Sequence, residues 1–243
     1  MANIIIELDT TESTNTYACN LLKQEEPPEG TIIWAKEQTY GRGRDKNTWE
    51  SEKGKNLTMS LILYPAFMKI EEQFLLSKTI SIALFDYLSK FLTNVFIKWP
   101  NDIYINNDKI AGILIENSII GNRFAYTIVG IGLNVNQVRF SSNVPNPTSL
   151  KLQSGKDFDL QECLYELNKS IKIRYEMLRS KNIGKINTDY LSHVYRYKIL
   201  SAYRAEQSEF IARIIDVENN GVIVLETNNH EIRRYTFDEV FYT

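Results

Sequence analysis

Arginine, lysine and asparagine side chains set among glycines recur in four short segments of this 243-residue chain, and each combination suits the stabilisation of negative charge. In Gly41-Arg42-Gly43-Arg44, with Lys46 close behind, the glycines let the backbone turn and approach a ligand closely. The arginines add rigid donor forks that match a phosphate or a carboxylate. The segment is neither a dinucleotide fingerprint nor a phosphate loop, because it lacks the third glycine of one and the Gly-Lys-Ser/Thr of the other. A solvated turn with surface arginines would also satisfy these four residues. The long polar loop around them and Trp49 after them favour a site.

Three further segments add to the set. Lys98 stands inside an apolar strand and runs straight into Trp99-Pro100-Asn101-Asp102; Asn-Asp is a turn signal and Trp99 fits a core, so the lysine is the odd residue. In Lys109-Ile110-Ala111-Gly112-Ile113-Leu114-Ile115-Glu116, Gly112 interrupts a strand where a bulge or a close backbone approach is expected. Lys109 there is either an exposed hairpin lysine or a cation able to neutralise a carboxylate and a phosphate together. In Gly130-Ile131-Gly132-Leu133-Asn134-Val135-Asn136, two glycines at alternate positions clear one face of a sheet. Asn134 could then read a nucleobase or ribose edge, tight packing being the alternative.

Other chemistries have little support. The two histidines, His193 and His230, lie outside all four segments and near no serine or cysteine motif, so neither a nucleophilic triad nor zinc hydrolysis is indicated. Cys19 and Cys163 are far apart, which fits free thiols in a reducing compartment rather than a disulfide framework. With 28 basic and 30 acidic residues the net charge is −2, not the basic excess of a general nucleic-acid binder. The first residues lack a basic region ahead of an apolar run, and no apolar stretch approaches the ~20 residues of a membrane helix. A cytoplasmic protein is expected.

The elements that must position these residues follow from periodicity. Ile4-Ile5-Ile6 predicts a short buried strand, and Ser13 or Thr14 predicts the cap of a helix with Tyr17, Ala18, Leu21 and Leu22 on one face, stopped by Pro27-Pro28. Strands are predicted over residues 31–38 and 57–64, flanking a polar loop of more than a dozen residues. Residues 72–92 read as a helix with Leu75, Ile82, Phe85 and Leu88 buried, and residues 95–99 as a strand. A three-stranded meander follows, turning at Asn106-Asn107-Asp108 and Gly121-Asn122. Asp159 and Glu162 form a capping box for a helix carrying Leu160, Leu164, Leu167, Ile171 and Leu178. From about residue 195 the pattern changes to short strands split by Asn219-Asn220-Gly221 and Asn228-Asn229, predicting a small barrel-like β module.

Taken together, the chain resembles the biotin protein ligase family. The matching pieces are Ser13-Thr14-Asn15, Gln38 ahead of Gly41-Arg42-Gly43-Arg44, Trp49, Lys98-Trp99-Pro100-Asn101-Asp102, and the glycine-bearing strands from Lys109 and Gly130, with Pro147-Thr148-Ser149-Leu150 similar to the family's Thr-Ser-Leu segment. They fall in the family's order over roughly residues 10–150. The resemblance implies an α+β fold: a mixed sheet with flanking helices, related to class II aminoacyl-tRNA synthetases, over residues 1–194, and an SH3-like barrel over residues 195–243. It implies activation of biotin by Mg2+-ATP to biotinyl-5′-adenylate, then transfer to a lysine of an apo biotin carboxyl carrier protein domain. Ser13, Thr14, Asn15 and Gln38 would contact biotin's ureido ring, and Gly41, Gly43, Gly112 and Gly130 would line the pocket. Arg42, Arg44 and Lys109 would gather at the carboxylate and α-phosphate as catalytic cations. Trp49, Asn101 and Asn134 would lie on the ATP side, and residues 40–56 would close over the adenylate. Tyr40, where many members carry a small residue, predicts a packing difference beside the pocket. With the first motif at residue 13 there is no room ahead of it for a DNA-binding domain, so DNA is not an expected partner, and either a monomer or a homodimer is compatible.

Overall fold

The computed structural model describes residues 4–44, 47–141, 146–206 and 208–243. Lys46, grouped above with the arginines, lies outside the described residues. The first strand, β1 (Ile5–Thr11), leads through helix α1 (Thr14–Leu21) to β2 (Ile32–Gln38), which pairs parallel to β1. β3 (Leu57–Leu63) follows the loop, then α2 (Phe74–Leu88), β4 (Val95–Lys98), β5 (Asp102–Ile105), β6 (Asp108–Ile120) and β7 (Arg123–Leu133). They form a seven-stranded mixed sheet in the order β1-β2-β3-β7-β6-β5-β4, antiparallel beyond the first pair. The predicted meander is therefore present, and its turns sit where the Asn and Gly residues stand.

Alternation along β2 and β3 sorts the core onto two faces. Ile32, Trp34, Leu57, Met59, Leu61 and Leu63 join the main core, while Ile33 and Ile62 meet Ala18 and Ile128 in a smaller cluster under α1. Three helices take up the main-core side: α2, α4 (Leu160–Arg179) and α5 (Ile183–Ser192). Between them α3 (Leu150–Ser154) is a single short turn of helix capped by Ser149, which accepts from the Leu152 amide. The predicted box on α4 forms: Asp159 accepts from the Glu162 amide at 2.9 Å. Its apolar stripe is buried at Leu164, Leu167, Ile171 and Leu178.

One prediction fails at the sheet's edge. Ile4 and Ile5 are 43% and 48% exposed, because β1 has a neighbour on one side only. An apolar triplet reports burial only if the strand lands inside a sheet, and this one lands at its margin.

The last strands, β8 (Ser201–Ala205), β9 (Ser208–Val217), β10 (Ile223–Thr227), β11 (Ile232–Tyr235) and β12 (Val240–Tyr242), form a second antiparallel sheet in the order β11-β10-β9-β8-β12. Among the described residues the sheet is open, with β11 and β12 at its two edges rather than paired into a barrel. Ala212, Ile214, Ile223 and Leu225 belong to the same core cluster as the first sheet. Lys78, buried on α2, ties that helix to the second sheet and to α5: its ammonium donates to the Val217 carbonyl at 2.5 Å and to Asn187 and Asn219 at 2.7 and 3.3 Å. Burial pulls its pKa down to about 8. Removing it would leave those acceptors unsatisfied, at about 1–3 kcal/mol each.

Candidate active site

Strand register creates the floor of the site. Residues directly opposite in antiparallel strands point to the same face. One row across the sheet is Lys98–Asp102–Gly112–Gly132–Thr58, and the next contains Leu114–Gly130–Ser60. The glycines clear room for two specific groups. A Cβ on Gly132 would stand 2.3 Å from the Trp49 ring, and one on Gly112 would stand 3.1 Å from it. A Cβ on Gly130 would stand 2.4 Å from Asn15 Oδ1. Trp49 thus lies flat over one glycine row and Asn15 over the other, beside a cavity of ≈ 390 Å³.

At the α1 end the lining is hydroxyl and amide. The Thr14 amide and hydroxyl both donate to Gln38 Oε1, at 2.8 and 3.1 Å. Gln38 therefore takes the capping role expected of Ser13 or Thr14; Ser13 occupies the cap position, but its side chain makes no cap bond. Buried Ser60 Oγ lies 2.7 Å from Thr14 Oγ1 and 2.5 Å from Asn15 Oδ1, fixing both. The Asn15 amide donates to Glu116 at 2.7 Å. This end offers small donors and acceptors held in place, suited to a neutral polar ligand.

Three cations face the same cavity, Arg42 beside the α1 end through the Glu116 it shares with Asn15, and each expected cation already holds a carboxylate. Arg42 grips Glu116 through both terminal nitrogens, at 3.3 and 2.8 Å. Arg44 Nη2 donates to Asp238 at 2.5 Å, and Lys109 Nζ lies 2.7 Å from Asp102. Lys109 is fixed at its backbone as well: its amide donates to Asn146 and its carbonyl accepts from Thr148, the segment singled out by Pro147-Thr148-Ser149-Leu150. The loop carrying the arginines closes on itself, Trp49 N donating to Gly41 O and Gly43 N to Asn47 O. Ser13, Thr14, Asn15, Gln38, Arg42, Gly43, Arg44, Trp49, Asn101, Lys109, Gly112 and Gly130 all face the one cavity.

Residues 7–134 match the model of the biotin/lipoate A/B protein ligase family. The chain belongs to that family, on its biotin protein ligase branch. It is 31% identical over 245 residues to the bifunctional ligase/repressor BirA of Bacillus spizizenii, covering 98% of this chain and 74% of that protein. It is 28% identical to the biotin–[acetyl-CoA-carboxylase] ligase of Paracoccus denitrificans, over 90% of this chain and 92% of that one. Among solved structures it is similar to the biotin protein ligase of Aquifex aeolicus in complex with biotin and ATP, with a TM-score of 0.80, 25% identity and full coverage of both chains.

Two of the expected residues are not on the wall of this biotin-ligase cavity. Gly41 is buried behind it, where a Cβ would meet the Trp49 carbonyl at 2.4 Å, so its lack of a side chain lets the loop close on Trp49. Asn134 is also buried behind the wall; its amide donates to the Thr148 carbonyl, and its Oδ1 is left unpaired. Tyr40 is 67% exposed and is not among the residues that line the cavity. Three residues went unread in the sequence. Ser60 carried a faint signal, a hydroxyl between Met59 and Leu61 in an otherwise apolar strand. Glu116 closed a motif without being given a role. Phe237, whose ring lies against Arg44, comes from the turn between β11 and β12 and had no signal at all.

Proposed function

We propose that the cavity binds biotin with its ureido ring at Ser13, Thr14, Asn15 and Gln38 and its carboxylate toward Arg42, Arg44 and Lys109, with ATP entering from the Trp49 and Asn101 side. The observation that carries this reading is a single cavity that gathers neutral donors and acceptors under α1, three cations along its walls, with Arg42 sharing Glu116 with Asn15, and a glycine-cleared floor. A ureido ring presents one carbonyl and two N–H groups, the complement of hydroxyls and amides. Asn134 supports the Thr148 segment from behind the wall.

In the first half-reaction a biotin carboxylate oxygen bonds to the α-phosphorus of ATP, and pyrophosphate leaves. In the second, the ε-amine of a carrier-domain lysine bonds to the biotinyl carbonyl carbon, AMP leaves, and the amine gives up a proton. Neither half needs an enzyme nucleophile. What it needs is cations placed where charge grows and a site closed to water. We read the loop over residues 40–56 as the cover. Magnesium is read as arriving on the nucleotide phosphates, the usual way for an ion that keeps several waters and few protein ligands.

Residues 195–243 are read as the SH3-like unit of the family, and the free cysteines Cys19 and Cys163 fit a cytosolic setting. Among the described residues no helix is long and apolar enough to cross a membrane. The deciding experiment is incubation with biotin, Mg·ATP and an apo carrier domain, with intact-mass measurement of the acceptor. One biotin increment is expected. Lipoate in place of biotin should give none; a lipoyl increment of equal yield would move the assignment to the family's other branch.

A further inference from the structure

Lys98 closes the floor row at its outer end, in register with Asp102 and on the face that carries Gly112 and Gly132. It stands two strands from Gly112, about 10 Å at ordinary strand spacing. Its side chain faces the cavity, yet it differs from the three cations already described. Arg42, Arg44 and Lys109 each hold a carboxylate, whereas among the described residues no carboxylate is in ion-pair contact with Lys98. Instead Nζ donates to the Tyr104 hydroxyl at 3.1 Å and lies 4.5, 5.1 and 6.0 Å from the ring centres of Tyr104, Tyr242 and Tyr195. Ring faces hold an ammonium in position without neutralising its charge. Burial accordingly holds its pKa below the ordinary lysine value, with Asp102 pulling the other way. A half-buried cation held by neutral groups and open to a cavity is a socket for an anion.

We propose that Lys98 binds the β- and γ-phosphates of ATP and stabilises pyrophosphate as it leaves. The inference rests on the adenylation reading above. As the carboxylate oxygen bonds to the α-phosphorus, the bond from that phosphorus to the bridging oxygen breaks, and its electron pair stays on that oxygen. The oxygen becomes a terminal one of pyrophosphate, so negative charge grows on the β-phosphate and no proton need move. Lys109, over the centre of the floor, serves the α-phosphate; Lys98, further out along the same row, serves the departing group. The second half-reaction has no β- or γ-phosphate, and Lys98 has no part in it.

That division gives the test. Lys98→Met and Lys98→Arg are compared with wild type in two assays: biotin-dependent ATP–pyrophosphate exchange, and single-turnover transfer to an apo carrier domain from preformed biotinyl-5′-adenylate. Lys98→Met should lower exchange kcat/KM for ATP by about 10²-fold, on the scale of a lost transition-state donor. Lys98→Arg should recover part of it, and transfer should stay near wild type in both, which also certifies that the variants are folded. Equal loss in the two assays would mean that Lys98 only braces the tyrosines, and unchanged exchange would mean that it meets no phosphate; either overturns the proposal. Wild-type exchange, measured alongside, checks the adenylation reading by itself.

Discussion

The guanidinium carbon of Arg44 lies 4.2 Å from the ring centre of Phe237, and the same arginine donates to the Phe237 carbonyl at 3.2 Å. A loop arginine of the first sheet is thus seated on a residue of the C-terminal segment. Removing the ring should release part of that seating, worth about 0.5–2 kcal/mol for a cation–π contact. Phe237→Ala is expected to raise the KM for ATP by roughly 3- to 10-fold in pyrophosphate exchange, while the KM for biotin holds. A rise in the biotin KM instead would show that Arg44 serves the other end of the cavity.

Lys109 is the cation closest to the glycine floor that also carries a partner, Asp102. Lys109→Ala should cut the adenylation rate by about 10²–10³, roughly 3–4 kcal/mol, by comparison with the loss of an oxyanion donor. Wild-type exchange by this variant would remove Lys109 from the reaction.

The two glycine rows predict opposite selectivities. In Gly130→Ala the new methyl meets Asn15, so biotin affinity measured by calorimetry should fall by about 1–3 kcal/mol, the scale of overpacking. In Gly132→Ala it meets Trp49, so the nucleotide step should suffer and biotin binding alone should change little. If both variants lose biotin binding equally, the rows do not divide the site.

His193 stacks on Phe85 with ring centres 3.6 Å apart, and burial lowers its pKa below 6.5, while Asp189 and Asp86 pull upward and Arg174 adds to the lowering. The folded state therefore prefers the neutral ring. That stability is present above the unfolded value near 6.5 and is lost as pH falls through the lower folded value. Thermal melts of His193→Phe, which keeps the stack and loses the charge, should show a shallower decline below pH 6.5 than wild type.

Which parts of this could be read ahead of the structure depends on range. Asp159 and Glu162, or Asn106 to Asp108, act within a few residues, so their capping and turning roles were written locally. The motifs at Arg42, Arg44, Lys98 and Lys109 showed a cationic site but not its geometry. Asn15, Ser60 and Gly130 meet only because β3 lies beside β7 and α1 crosses above them, an arrangement no local pattern encodes. The edge position of Ile4 and Ile5 and the seat of Arg44 on Phe237 are of the same kind: each depends on how distant pieces pack. The open C-terminal sheet was visible as strands, whereas its pairing was not.

Trp49 rests on bare backbone with its indole N–H buried and unpaired, while Trp99 donates its own to the Gly221 carbonyl and Trp34 lies in the core. Of the three tryptophans it is therefore the one whose surroundings change most when the cavity fills. The protein carries a built-in optical reporter: its emission should track occupancy without any attached dye, and a Trp49→Phe chain, which keeps Trp99 on the cavity wall, should lose most of the change in the same titration.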